Sequence, residues 1–290
     1  MNNKSSMQVT SVGRVLIIFL LVLFAIYFLV PLYVMIVNSI KPLSEIRQGN
    51  MMSLPEAAST QFWHEAWATA QVGVQATGLR PYFLNSVKMV IPAVMISVIM
   101  GAFAGFVLSK WRFKGDNVVF GLILFGCFIP FQIVLIPMAR ILGILGLAGT
   151  TQGLVLVHVV YGVGFTTLFF RNTYISMPDE LVQSARVDGA HFMKIFTNII
   201  LPNSMPVIMV SIIWQTTNIW NDFLFGVSFG DADSQPMTVA VNNLVQSSTG
   251  VKKYNVHFAG AIMAALPTLV IYLVSGKYFV RGLMSGSVKG

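Results

Sequence analysis

The chain is short of charge. Of its 290 residues 10% are Asp, Glu, Lys or Arg, where soluble domains carry about a quarter. That scarcity, beside apolar runs of membrane length, excludes an ordinary soluble domain and points to a bilayer. Cysteine is nearly missing: Cys127 stands alone in an apolar context. No intrachain disulfide can form, and Cys127 reads as a small packing residue. Four scattered histidines and one cysteine offer no metal-site spacing. The G-x-x-x-x-G-K-[ST] phosphate cradle is also missing. The only Gly-Lys pair, Gly276-Lys277, is followed by Tyr278 and lacks the earlier glycine. No paired nucleophile and base marks an intramembrane enzyme. The expectation is a chain that catalyses nothing itself and holds no cofactor. Acidic residues are few, ten against eighteen basic, for a net charge of +8. The basic residues flank apolar runs, so topology explains them better than nucleic acid does.

What is abundant is apolar surface, 56% of the residues. Inside a bilayer every backbone polar group must be satisfied internally, which leaves helices or a closed barrel. Continuous apolar runs rather than alternation favour helices. Six spans are predicted, at about 15–37, 82–108, 118–138, 153–170, 205–229 and 258–280. The third is interrupted by Pro130 and Pro137. The first exceeds a signal-peptide core and is followed by no small-residue cleavage site, so it reads as an uncleaved span. The expected fold class is an all-α membrane protein with six transmembrane helices. One set of loops holds eleven Lys and Arg residues (among them Lys4, Arg171, Arg186, Lys277, Arg281 and Lys289), the other six. The positive-inside rule then puts both termini and the 171–202 loop in the cytoplasm. Lys88 is left near the outer end of the second span, where it can snorkel. Gly101 and Gly105 form a G-x-x-x-G, the signature of close helix contact.

Two outer segments carry pattern of their own. Phe62, Trp63 and Trp67 recur at helical spacing within 56–71. An interfacial anchor is the expected reading and a docking surface the alternative. Residues 231–256 are polar enough for an ordered loop. In the fifth span Gln215, Asn218 and Asp222 fall at i, i+3 and i+7, one helical face, with Trp214, Trp220 and Asn221 alongside. Polar groups in spans usually face the bundle interior or a cavity. Amides and a carboxylate suit sugar hydroxyls, and aromatic faces suit sugar C–H groups. Gln215, Asn218, Trp220, Asn221 and Asp222 are therefore candidate pathway residues. Bundle-gluing hydrogen bonds are the alternative, and for Asp222 local bonding at a helix end. Gln132, between two prolines, is a weaker candidate. His158 and Tyr161 also point inward, though a lone buried histidine is more often structurally satisfied.

The most informative stretch is 177–206, polar and mildly amphipathic between two apolar runs. It reads as two short helices hinged at Asp188-Gly189. Ser176 is placed to cap the first, with Pro178 in its first turn, and Leu181, Val182 and Ala185 share a face. Gly189 permits a left-handed turn. Phe192, Ile195, Phe196, Ile199 and Ile200 then form an apolar stripe, which Pro202 ends. By pattern alone it fits equally an in-plane amphipathic helix or a rigid lever with 186–191 as its handle.

This stretch resembles the EAA loop of ABC-importer permeases. Gln183-Ser184-Ala185, Arg186-Val187-Asp188, Gly189 and, a dozen residues on, Leu201-Pro202 carry the match. Gln183 stands where that family usually has Glu, and Ser184 where it has Ala. Asn85-Ser86, Trp220-Asn221-Asp222-Phe223 and the tail from Phe279 to Gly290 resemble carbohydrate-importer permeases. Arg80-Pro81-Tyr82-Phe83, Ile129-Pro130-Phe131-Gln132 and the 157–162 run are most similar to the second permease of glucose/mannose-type systems.

The resemblance implies a cytoplasmic segment 1–14, a transmembrane domain 15–281 with its EAA loop at about 177–203, and a cytoplasmic tail 282–290 that reaches the ATPase pair. It implies a bacterial inner membrane, a second permease subunit, an extracytoplasmic sugar-binding protein and two cytoplasmic ATPase subunits that bind ATP and Mg. The coupling residues would be Gln183, Ser184, Ala185, Arg186, Asp188, Gly189 and Ala190. The solute would be a hexose or small glucoside, with an oligosaccharide or polyol as the alternative. A gradient-driven secondary transporter is the rival of another class. It would need inverted repeats or an ion relay, and only isolated Asp222 and Lys88 hint at one.

Overall fold

The computed structural model describes residues 11–246 and 251–287, with side chains followed as far as residue 275. Residues 1–10 and 288–290, and the side chains of the basic tail, lie outside the described residues, so the expectations placed on them stay there. Among the described residues every regular element is helical. α1 spans Ser11–Ser39 and α2 Leu43–Arg47. α3, Gln61–His64, continues as a π turn over Glu65–Thr69. α4 spans Arg80–Lys110, α5 Asp116–Cys127, α6 Phe131–Ile144, α7 Thr151–Ile175 and α8 Glu180–Val187. α9, Phe192–Ile195, runs through a π turn and a 3-10 turn into α10, Met205–Trp220. α11 (Leu224–Phe229), α12 (Met237–Gln246) and α13 (Tyr254–Ser287) complete the fold.

Four helices are long and apolar enough to cross a membrane: Val12–Ser39, Arg80–Lys110, Thr151–Ile175 and Tyr254–Ser275. Two bent pairs, α5 with α6 at 100° and Phe192–Ile200 with Pro202–Trp220 at 43°, raise the number to six if each counts as one span. The 100° break falls at Pro130, which has no N–H to continue a ladder and biases the residue before it away from helix. Pro137, expected to break the chain as well, rides inside α6.

α4 and α7 are the central pair, and two glycines explain how close they lie. A Cβ on Gly105 would sit 2.7 Å from the Phe170 Cβ, and one on Gly101 would run into Thr166. Thr166 Oγ1 also reaches the Ser97 carbonyl of α4 at 2.9 Å, an interhelical bond of about 0.6 kcal/mol in a membrane setting. Cys127 packs where Gly164 of α7 leaves room. α1 stands apart. Its apolar window has no residue buried by the rest of the chain, and its packing is along α13.

Two segments take shape at the end of the bundle opposite α8. The 56–71 segment is folded onto the bundle. Phe62 and Ala66 are buried, Trp63 Nε1 donates to Ser39 Oγ at 3.1 Å, and the Trp67 ring meets Phe83 of α4 edge-on at 5.5 Å. The polar stretch 231–256 is built around α12, which buries Met237, Ala240 and Leu244. Asn85 and Ser86 hold its approach: Asn85 Nδ2 donates to Asp233 O at 2.8 Å, and Ser86 Oγ accepts from the Met237 N–H at 2.8 Å.

The fifth predicted span is also redrawn. Its helix stops at Trp220, because Asp222 turns back to accept from the Phe225 and Gly226 N–H groups at 3.1 Å and so starts α11. In the other direction the stripe-bearing helix ends at Ile200, just before Pro202, as expected. Pro202 opens a 3-10 turn, and the chain runs on from α9 into α10.

Candidate functional site

The loop between α7 and α10 forms a knob on a stiff base. α8 ends in a Schellman motif: the Gly189 N–H reaches Arg186 O at 3.0 Å and the Ala190 N–H reaches Ala185 O at 2.9 Å. Gly189 sits at φ +75°, and a Cβ there would meet nothing within 4 Å. Backbone conformation, rather than crowding, favours glycine there. Ser176 does not cap α8. It closes α7, its Oγ donating to Thr173 O, and α8 starts after Asp179 with Pro178 outside the helix.

Of the candidate coupling residues, Gln183, Ser184, Arg186, Asp188 and Gly189 are exposed, Ala190 is half-buried and Ala185 is buried. Val182 joins Ala185 in the core, whereas Leu181, expected on that face, is exposed. Val187 at the tip is 88% exposed.

The base is aromatic. Phe192 and Phe196 pack on Phe106 at 5.1 and 5.4 Å between ring centroids and on Phe103 at 5.5 Å, and Trp111 meets Phe192 at 4.9 Å. The Arg186 guanidinium lies 4.1 Å above the Trp111 ring, a cation–π contact that ties the knob to the end of α4. Lys110, almost fully buried, donates to the Met177 carbonyl and pairs with Asp179. That ammonium holds the Asp179 carboxyl below its usual range. Sequence reading found the stripe and the hinge but missed Phe103, Phe106, Lys110 and Trp111, which come from another helix. The Lys110-Trp111-Arg112 cluster at the end of α4 was the available signal.

Between α7, α10 and α11 lies a half-open cavity of about 190 Å³. It brings together Gln215, Asn218 and Asp222, as the shared face predicts, and adds His158 and Tyr161 of α7 with Phe131 and Phe225. His158 Nε2 lies 3.8 Å from Asp222 Oδ2, too far for a hydrogen bond. His158 Nε2 and Gln215 Nε2 are both buried without a protein partner. Three candidates do not reach the cavity. Trp220 is buried against Phe83 and donates from Nε1 to Ala264 O at 2.8 Å, Asn221 is exposed, and Gln132 is exposed on α6. Phe131 lines the cavity in place of Gln132.

The family model of the binding-protein-dependent transport system inner membrane component matches residues 93–279, a stretch that holds both the knob and the cavity. The chain belongs to that family. A probable ABC transporter permease protein of Pyrococcus horikoshii is 46% identical over 189 residues, covering 64% of this chain and 68% of that one. An osmoprotective compounds uptake permease of Synechocystis is 34% identical over 87% of this chain and 85% of its own length. A xylose/arabinose import permease of Haloferax volcanii is 32% identical over 91% and 90%. Among solved structures, a chain of a bacterial ABC transporter that imports alginate superposes with a TM-score of 0.80 at 20% identity, covering 92% of this chain and 96% of that one. That likeness concerns the fold alone. For this inner-membrane transport component the two regions now divide plainly. The knob is an exposed turn on a ring-packed base, and the cavity is a half-open, largely apolar space with aromatic walls and a few polar groups.

Proposed function

We propose that the chain is one of two permease subunits of an ATP-driven sugar importer, with the α8–Gly189–α9 knob as its coupling element. One observation carries this reading: the knob is seated on α4 by a ring cluster, and its second arm continues into α10 through a bend of only 43°. A push on the knob therefore moves a helix that lines the cavity, which is a lever between two states. In this reading each bent pair is one span, giving six. The Lys and Arg distribution supports both termini and the knob facing the cytoplasm of a bacterial cell, with the chain in its inner membrane. Gln183, Ser184, Arg186, Asp188 and Gly189 face an ATPase subunit, while Ala185 and Ala190 form the seat. Two such subunits bind ATP and Mg and hydrolyse the nucleotide. A second permease closes the pathway, and an extracytoplasmic binding protein delivers the solute.

The solute is a hexose or small glucoside. The amide, carboxylate and aromatic chemistry around Gln215 supports a sugar, as does the pentose named for the Haloferax relative. A compatible osmolyte is the second reading, favoured by the Synechocystis relative. The test is a single cysteine at Asp188 in a Cys127→Ala background, crosslinked in membranes that also hold the partner ATPase. The expected result is a crosslinked ATPase together with uptake of labelled sugar by cells expressing the full system. An uncrosslinked knob in a transport-competent system would remove the coupling assignment, and a system that moves osmolytes but no sugar would select the second reading.

A further inference from the structure

Two residues that line the cavity each carry a nitrogen with nothing in the protein to bond. His158 is 6% exposed and Gln215 3% exposed, and Nε2 of each is buried without a partner. Burying such groups unpaired costs about 1–3 kcal/mol each, so native folds rarely keep two in one place without something to meet them. Both belong to residues lining the same space.

The geometry around His158 selects a hydroxyl. Its Nε2 stands 3.8 Å from Asp222 Oδ2, beyond a direct bond but close enough for one hydroxyl oxygen to touch both. Such a group accepts from an Nε2–H and donates to the carboxylate. A hydroxyl fits either imidazole tautomer, an ammonium only the one with an unprotonated Nε2, and an anion would face Asp222. The walls select a ring. Phe131 packs on Tyr161 at 4.9 Å and on Phe225 at 5.4 Å between centroids, so apolar faces flank the polar end. Trp214 and Asn218, both exposed, form the rim. At about 190 Å³ the space equals roughly six waters by bulk volume, room for one sugar ring.

We infer that this permease chain has a solute-contacting subsite of its own for a single neutral polyhydroxylated ring. His158 and Asp222 bridge one hydroxyl, Gln215 bonds a second, and Phe131 and Phe225 cover the C–H face. The inference rests on the sugar-importer reading and adds to it that this chain, and not only its partner permease, grips the solute in passage.

The test uses the complete transporter, reconstituted in liposomes with its ATPase and binding protein. Uptake of labelled D-glucose, D-xylose and L-arabinose is measured beside binding-protein-stimulated ATP hydrolysis. Gln215→Leu and His158→Phe should each raise the apparent KM for uptake about tenfold, the size of one lost hydrogen bond, while stimulated ATP hydrolysis continues. His158→Gln, which keeps a donor, should restore most of the uptake. Deoxy analogues should lose discrimination in the variants relative to the parent chain. Unchanged uptake in both Gln215→Leu and His158→Phe would overturn the subsite and leave a water-filled void. If His158→Phe does not assemble, Gln215→Leu decides alone. A parent transporter that moves none of the three sugars and no small glucoside would instead overturn the sugar-importer reading, and the subsite with it.

Discussion

The knob, α8 and α9, and the cavity, walled by α7, α10 and α11, are joined where α9 leads into α10, and are built on opposite principles. At the knob the rings are in contact. Phe103, Phe106, Trp111, Phe192 and Phe196 meet at 4.9–5.5 Å, and the hinge bonds are complete. At the cavity, space is kept open and polar atoms are left unpaired. A lever needs a stiff arm, because compliance at the handle would absorb the stroke. A passage needs groups whose bonds can be exchanged, because a fully satisfied wall offers a solute nothing. Packing completes one region and incompleteness equips the other.

The largest test of this contrast is Phe106→Ala. Phe106 is fully buried and touches both rings of the lever arm, so the truncation should cost about 3–5 kcal/mol. The expected outcome is a lowered unfolding temperature of the purified chain and faster proteolysis within 177–203. An unchanged cleavage rate there would mean that the arm is held by something other than the ring cluster, and the contrast would lose its first half.

Gly189 gives a smaller effect through a different cause. Gly189→Val forces a β-branched residue into a left-handed conformation, at about 1–2 kcal/mol, although a Cβ meets nothing there. Uptake should fall with ATP hydrolysis retained, while the amount of chain in the membrane is unchanged. Gly189→Asn should be tolerated, since Asn also serves as a left-handed cap. Equal loss with Asn and Val would show that bulk against a docked partner, rather than backbone strain, is what the position resists.

How much of this was readable beforehand follows the range of the signal. Hydropathy located α1, α4, α7 and α13, and the glycine in D-G-A gave the hinge, because each is written in adjacent residues. The face of Gln215, Asn218 and Asp222 was visible for the same reason. The ring cluster was not, since Phe103 and Phe106 find their partners only when α4 and α9 pack. The end of α10 was hidden because Asp222 acts on N–H groups that belong to the next helix. Pro202 was legible as the stop of the stripe-bearing helix, but not as the opening of the turn that leads on into α10, because the direction of the new turn depends on packing beyond the adjacent residues. The isolation of His158 was beyond any pattern, since a missing partner is a property of the packed bundle alone.

The smallest expected effect lies at the other pole of the comparison. Ser211 is fully buried on α10, one turn from Gln215, and its Oγ has no partner in the protein. An unpaired buried hydroxyl is a cost of about 1–3 kcal/mol that alanine removes, against the loss of a few close contacts. Ser211→Ala should therefore leave the unfolding temperature unchanged or slightly raised, where Phe106→Ala lowers it. The measurement is thermal unfolding of the two variants side by side in one detergent. A loss at Ser211 as large as that at Phe106 would mean the hydroxyl is bonded to internal water. The polar seam would then run down α10 toward the knob, and the open region would extend into the arm that should be stiff.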